Sequence, residues 1–129
     1  MSISEHLQKA RAFLQDAQLC SGHERYDSAA SRAYYAMFRA ALALMEQYGY
    51  LRPAWNHGRL KGALVRSMVE ERAVLTRREV ESMEAAYALR LEADYGSRLV
   101  SAQEVQEILD AAHRFLAKVE GVIPHETEP

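Results

Sequence analysis

The chain has 129 residues, 49% of them hydrophobic and 26% charged. That is the composition of one globular domain and excludes a wholly disordered chain. A formal charge of −2 argues against nucleic-acid binding by overall charge, the single cysteine Cys20 excludes an internal disulfide, and the lack of a long apolar run excludes a membrane span.

The opening stretch MSISEHLQKARAF mixes acidic and basic residues and lacks the plan of a secretory signal, so a cytoplasmic protein is expected. Ile3, Leu7, Ala10, Leu14 and Ala17 recur at helical spacing, with Phe13 widening the stripe, and predict a first helix over Ser4–Ser21. Ser2 and Glu5 have the spacing of a capping box. Cys20 is read as a small buried residue on this helix. A second helix is expected over Tyr26–Tyr48, with Asp27 as its N-cap and Gly49 as its stop. Its alanines offer a slim packing surface, and Tyr34, Met37, Phe38, Ala41, Leu44 and Met45 form its bulky face. Tyr34 is therefore the core-facing ring of the adjacent pair, and Tyr35 points elsewhere, into a dimer seam or cleft.

The segment GYLRPAWNHG is a loop marked by Pro53 and Gly58, with Asn56 placed to cap a third helix over His57–Glu71. Thr76 and Glu79 open a fourth helix that ends at Gly96, and Ser101 and Glu104 open a fifth, striped by Val105, Ile108, Leu109, Ala112, Phe115, Leu116 and Val119. Short connections between amphipathic helices favour antiparallel neighbours. The fold class is all-α, an up-and-down bundle of about five helices. One domain over residues 1–121 is expected, with a flexible tail over 122–129.

The chain contains no phosphate loop, no dinucleotide fingerprint and no histidine–cysteine metal spacing, so neither cofactor nor metal is expected. His6, His23, His113 and His125 are scattered and read as solvent-facing or tail residues. Between Arg52 and Arg78 there are seven basic residues against two acidic ones, a local charge of +5 that suits either a solvated helix face or an anionic partner. His57 stands at the head of this region, either as part of a cap or beside backbone N–H groups that attract anions. Arg25, Arg32 and Arg39 recur every seven residues and form a stripe that either faces solvent or meets a partner chain or phosphate backbone. Arg90 and Asp94 share a helix face. Asp94 lies close to the helix C-terminus, where the macrodipole opposes a carboxylate by about 0.3–1 kcal/mol. An intrahelical ion pair only offsets that cost, whereas a carboxylate that orients Arg90 for a ligand explains the choice. Tyr87 lies on the same face, and Tyr95 has its hydroxyl near solvent.

Together, YDSAASRAYYAMFRAALALM, NHGRL and LRLEADYGS resemble the HEPN domain family, from about Glu5 to Val119. The resemblance implies a five-helix bundle, a homodimer, and a cognate minimal nucleotidyltransferase as partner in a toxin–antitoxin-like pair. It also implies metal-independent RNA cleavage by an arginine and a histidine with four to six residues between them, in a cleft between two protomers. An arginine grips phosphate with a rigid fork, and a histidine can take a ribose 2′-hydroxyl proton at neutral pH. Arg90 carries over; Tyr95 stands where the histidine belongs, and a phenol with a pKa of about 10 is a poor base. His57 matches a histidine found before the third helix in this branch of the family.

The candidate catalytic residues are therefore Arg90, His57, Asp94 and Tyr95, and the candidate RNA- or nucleotide-binding residues are Arg90, Arg32, Arg39 and Tyr35. In similar pairs a tyrosine near this motif accepts an adenylyl group from the nucleotidyltransferase, which makes Tyr95 a candidate for modification. Three readings stand together: an RNA-directed toxin-like subunit, a non-catalytic binding subunit recognised or modified through its Tyr95 face, and a helical interaction module without a ligand.

Overall fold

A computed structural model describes residues 2–50 and 52–124. Five α-helices follow in order, and among the described residues there is no strand: α1 (Ile3–Gly22), α2 (Tyr26–Gln47), α3 (His57–Ala63) with a π-helical continuation (Leu64–Glu71), α4 (Arg77–Tyr95) and α5 (Ala102–Val122). The expected all-α bundle is thus the observed fold. No helix among the described residues is long and apolar enough to cross a membrane.

The three predicted capping boxes are all formed. Ser2, Thr76 and Ser101 each accept from the backbone N–H three residues on, and Glu5, Glu79 and Glu104 return the bond to the cap residue. Asn56 caps α3 through Arg59 N–H at 2.9 Å. Asp27 does not cap α2: that position is taken by Arg25, whose side chain makes no capping bond. The Asp27 carboxylate instead accepts from Val100 N–H at 2.9 Å and ties the start of α2 to the chain just ahead of α5. A capping residue and a long-range acceptor look alike in sequence, because only the fold brings Val100 within reach.

The third helical stretch has the expected limits but changes its winding halfway. From Leu64 the wider π-helical turn takes over, and Ser67 Oγ donates to the Ala63 carbonyl at 2.6 Å. Val74 and Leu75 then both donate to the Met68 carbonyl, and Ala73 reverses the chain with φ of 52°. At the far end, α5 continues through Val122 and Ile123 is buried, so the chain is still packed where the tail was expected to begin. Residues 125–129, and His125 with them, lie outside the described residues.

α2 is the central element and packs against α1, α4 and α5. Its alanines 29, 30, 33, 36, 40, 41 and 43 are fully enclosed, as are Ala10 and Ala17 of α1. Small side chains on both helices allow close approach, while Met37, Leu44 and Met45 fill the remaining space.

His6 departs from the expectation of a solvent-facing residue. It is buried, with Nδ1 facing Arg39 Nη1 at 3.4 Å and Nε2 lying 3.9 Å from Glu46. The cause is position: His6 neighbours Leu7 and Ala10 on the inward side of α1. His23 and His113 are exposed as expected.

Burial holds the His6 pKa below its ordinary 6.5, against the pull of Glu46. The unfolded chain therefore takes up this proton first as pH falls, and stability is lost from about 6.5 downward to the folded value. Urea unfolding followed from pH 7.5 to about 5 is expected to show a falling midpoint, and His6→Gln is expected to flatten that fall. Identical pH profiles for the two proteins would contradict it.

Candidate functional site

α4 carries its core stripe, Val80, Met83 and Ala86, only through its first half. The same side continues with Tyr87, Arg90 and Asp94, so an inward face becomes polar and aromatic. α2 runs antiparallel across it. Ser31 meets Asp94, with 3.4 Å from Oγ to Oδ2, and Tyr34 meets both Arg90 and Tyr87.

Arg90 is the centre of this arrangement. Its guanidinium carbon lies 5.2 Å from the Tyr35 ring centre and 5.8 Å from those of Tyr34 and Tyr95. These are cation–π distances. The side chain keeps 16% of its surface exposed, and Nε lies 3.1 Å from Asp94 Oδ2. That contact is an ion pair by distance only. Nε is buried and has no aligned hydrogen-bond acceptor among the described residues. The guanidinium is therefore held in place by three rings and a carboxylate, with its Nε lacking an aligned acceptor among the described residues.

Tyr95 is the last residue of α4 and is 75% exposed. Gly96 fixes that ending: a Cβ there would sit 2.6 Å from the Glu92 carbonyl oxygen. The phenol is thus held at the helix end beside Arg90 and open to solvent.

His57 is enclosed. Its ring stacks flat on Tyr87, with centres 3.7 Å apart and planes 4° from parallel. Nδ1 pairs with the Tyr34 hydroxyl at 3.0 Å, and Nε2 with Glu84 at 2.5 Å. The His57 side chain is 9% exposed. Its hydrogen bond, with Lys61 3.5 Å away, holds the Glu84 carboxyl below its ordinary value and keeps it ionised. Burial raises the Tyr34 phenol well above its ordinary value of 10, against the nearby Arg90 charge, so Tyr34 stays protonated. His57 is linked to Arg90 through Tyr34, whose hydroxyl holds the histidine while its ring faces the arginine.

Of the residues singled out in sequence, Arg90, Asp94, Tyr95 and Tyr35 share one site, and His57 adjoins it. Tyr34 is core-facing as expected. Arg32 is half-buried on α2. Arg39 lies elsewhere, against His6 in a cleft with Glu46 and Trp55. Glu84 and Lys61 were not anticipated; Lys61 follows His57 by four and Glu84 precedes Tyr87 by three, and only the packing of α3 on α4 brings them together. Among the described residues no three of His, Cys, Asp and Glu are grouped to hold a metal ion.

A model of the HEPN domain matches residues 3–122. Solved structures that share the fold include TT1696 from Thermus thermophilus, with a TM-score of 0.74 at 24% identity, over 92% of this chain and 96% of that one. Another is ST0689, an archaeal HEPN homologue, with a TM-score of 0.68 at 16% identity, over 96% of this chain and 99% of that one. No curated protein matches the chain.

Tyr34→Phe keeps the ring and removes the hydroxyl that meets His57 Nδ1. Leaving that nitrogen buried and unpaired is expected to cost about 1–3 kcal/mol in urea unfolding. Tyr34→Ala is expected to cost about 3–5 kcal/mol, as for other large buried rings. A Tyr34→Phe protein as stable as the parent would show that the hydroxyl does not satisfy His57.

Proposed function

The chain belongs to the HEPN domain family, and we propose that it is the HEPN subunit of a two-component, toxin–antitoxin-like system with a minimal nucleotidyltransferase. In this reading the chain acts as a homodimer in the cytoplasm, binds nucleotide phosphate through Arg90, and offers Tyr95 to the nucleotidyltransferase as an adenylyl acceptor. The observation that carries the reading is the placement of Arg90 between the buried Tyr34, the half-buried Tyr35 and the exposed Tyr95, with Nε lacking an aligned acceptor among the described residues. A bidentate phosphate contact supplies what that guanidinium lacks.

The chemistry follows from that placement. The Tyr95 oxygen attacks the α-phosphorus of a nucleoside triphosphate bound by the partner enzyme. A new oxygen–phosphorus bond forms, pyrophosphate leaves with the electrons of the broken bond, and the phenolic proton passes to water. Arg90 stabilises the negative charge that develops on the phosphoryl oxygens. Asp94 positions Arg90 and does not compete for it with an aligned hydrogen bond.

RNA cleavage is the reading that the same geometry disfavours. Metal-independent cleavage needs a base within reach of a ribose 2′-hydroxyl. Tyr95 is a weak base, and His57 has both ring nitrogens engaged and little exposed surface. The site holds a phosphate grip and lacks a free general base.

Co-expression with a cognate minimal nucleotidyltransferase and ATP, followed by intact-mass analysis, is expected to show a gain of one adenylyl group. Tyr95→Phe is expected to abolish the gain, and Arg90→Ala to slow it by at least about tenfold, the loss of one charged phosphate contact. Purified protein incubated with labelled RNA in chelator is expected to leave it intact. Arg90-dependent cleavage, or an unmodified Tyr95, would overturn the reading.

A further inference from the structure

Away from Arg90, one cleft brings both signs of charge to an apolar side. It lies between α1, α2 and the residues ahead of α3 and encloses about 250 Å³. Its charged and polar groups include His6, Arg39, Glu46 and Arg52, and Leu42 and Pro53 give it the apolar side.

His6 decides what the cleft can bond. The residue is buried, and burial keeps it neutral at neutral pH. Arg39 Nη1 stands 3.4 Å from its Nδ1. A guanidinium can only donate, so Nδ1 accepts and the ring proton sits on Nε2. Nε2 in turn has Glu46 Oε1 at 3.9 Å, beyond hydrogen-bond length. A buried N–H donor and a carboxylate thus stand side by side without satisfying each other. Arg52 lies 5.1 Å over the Trp55 ring centre and adds a second guanidinium to the same cleft. An arginine stacked on a ring keeps its N–H edges turned outward.

These groups select among ligands. The imidazole N–H and the guanidinium call for an anionic acceptor, and Glu46 calls for a cationic donor. The 3.9 Å between Nε2 and Oε1 calls for both charges on neighbouring atoms. An α-amino acid carries its carboxylate and its ammonium on one carbon and meets both with a single head group. A phosphate ester would set a like charge against Glu46. A peptide end brings only one of the two charges. The volume is below the roughly 300–1,000 Å³ of pockets for drug-sized ligands, which suits a small molecule.

We propose that this cleft binds a free apolar α-amino acid, with its carboxylate on Arg52 and the His6 Nε2–H, its ammonium on Glu46, and its side chain against Leu42 and Pro53. The site shares no residue with the Arg90 cluster and does not depend on adenylylation of Tyr95.

Trp55 lines the cleft and is the one tryptophan of the chain, so its indole N–H gives a single NMR signal that reports on the site. Leucine, leucinamide and N-acetylleucine serve as probes; the second lacks the carboxylate and the third lacks the ammonium. Leucine is expected to move the signal saturably. Each analogue is expected to bind at least about tenfold more weakly, the loss of one charged hydrogen bond. Glu46→Gln is expected to weaken leucine by a similar factor and to leave N-acetylleucine unchanged. Arg52→Ala is expected to weaken leucine and to leave leucinamide unchanged. Glu46→Gln keeps the side-chain shape and Arg52 is exposed, so unchanged thermal melts are expected for both variants. The proposal is overturned if the Trp55 signal stays in place at millimolar leucine, if either analogue binds as tightly as leucine, or if both variants bind leucine undiminished.

Discussion

Tyr34 stands where three helices meet, and its ring and its hydroxyl serve different neighbours. The hydroxyl fixes His57 at the start of α3, while the ring borders Phe38 of its own helix, Tyr87 of α4 and the Arg90 guanidinium. Its hydrogen bond closes one nitrogen of His57, Glu84 closes the other, and Tyr87 covers the ring face. With α3 pinned in this way, Arg90 is left among three rings, with Asp94 as its one close carboxylate. The placement of Arg90 and the closure of His57 are therefore two consequences of one packing arrangement.

That arrangement sorts the polar residues of the site by what they can do. A histidine with both nitrogens occupied orients its neighbours and is poorly placed to move a proton. A guanidinium held against aromatic faces keeps its charge while losing water, and the interaction it offers an anion is stronger for that loss. Asp94 steadies the arginine from the next turn, and the Ser31 hydroxyl reaches the same carboxylate. The polar second half of the α4 stripe is thus organised around Arg90, and Tyr95 is the part of it that is open to solvent.

Much of the fold was legible in the sequence because its signals are local. Capping boxes, apolar periodicity and the glycines at 49 and 96 act over a few residues, and they placed all five helices. Asp27 was misread because its partner, Val100, is distant in the chain. His6 was misread because one inward-facing histidine looks like any other until α1 is docked. Within the site, Arg90, Asp94 and Tyr95 could be found because they lie within six residues of one helix. Glu84 and Lys61 could not, since their meeting with His57 depends on how α3 lies on α4. The seven-residue spacing of Arg32 and Arg39 suggested one common surface, yet Arg39 faces His6 in a different cleft.

The central claim is that the Arg90 Nε–H is buried, lacks an acceptor in the free protein, and gains one when phosphate arrives. Nitrogen-15 NMR of the arginine Nε–H groups, with the Arg90 signal assigned by its loss in Arg90→Lys, tests this directly. The account predicts a slowly exchanging Arg90 signal that moves saturably on titration with adenosine monophosphate. A signal that exchanges rapidly with water, or that stays in place at millimolar nucleotide, would contradict it.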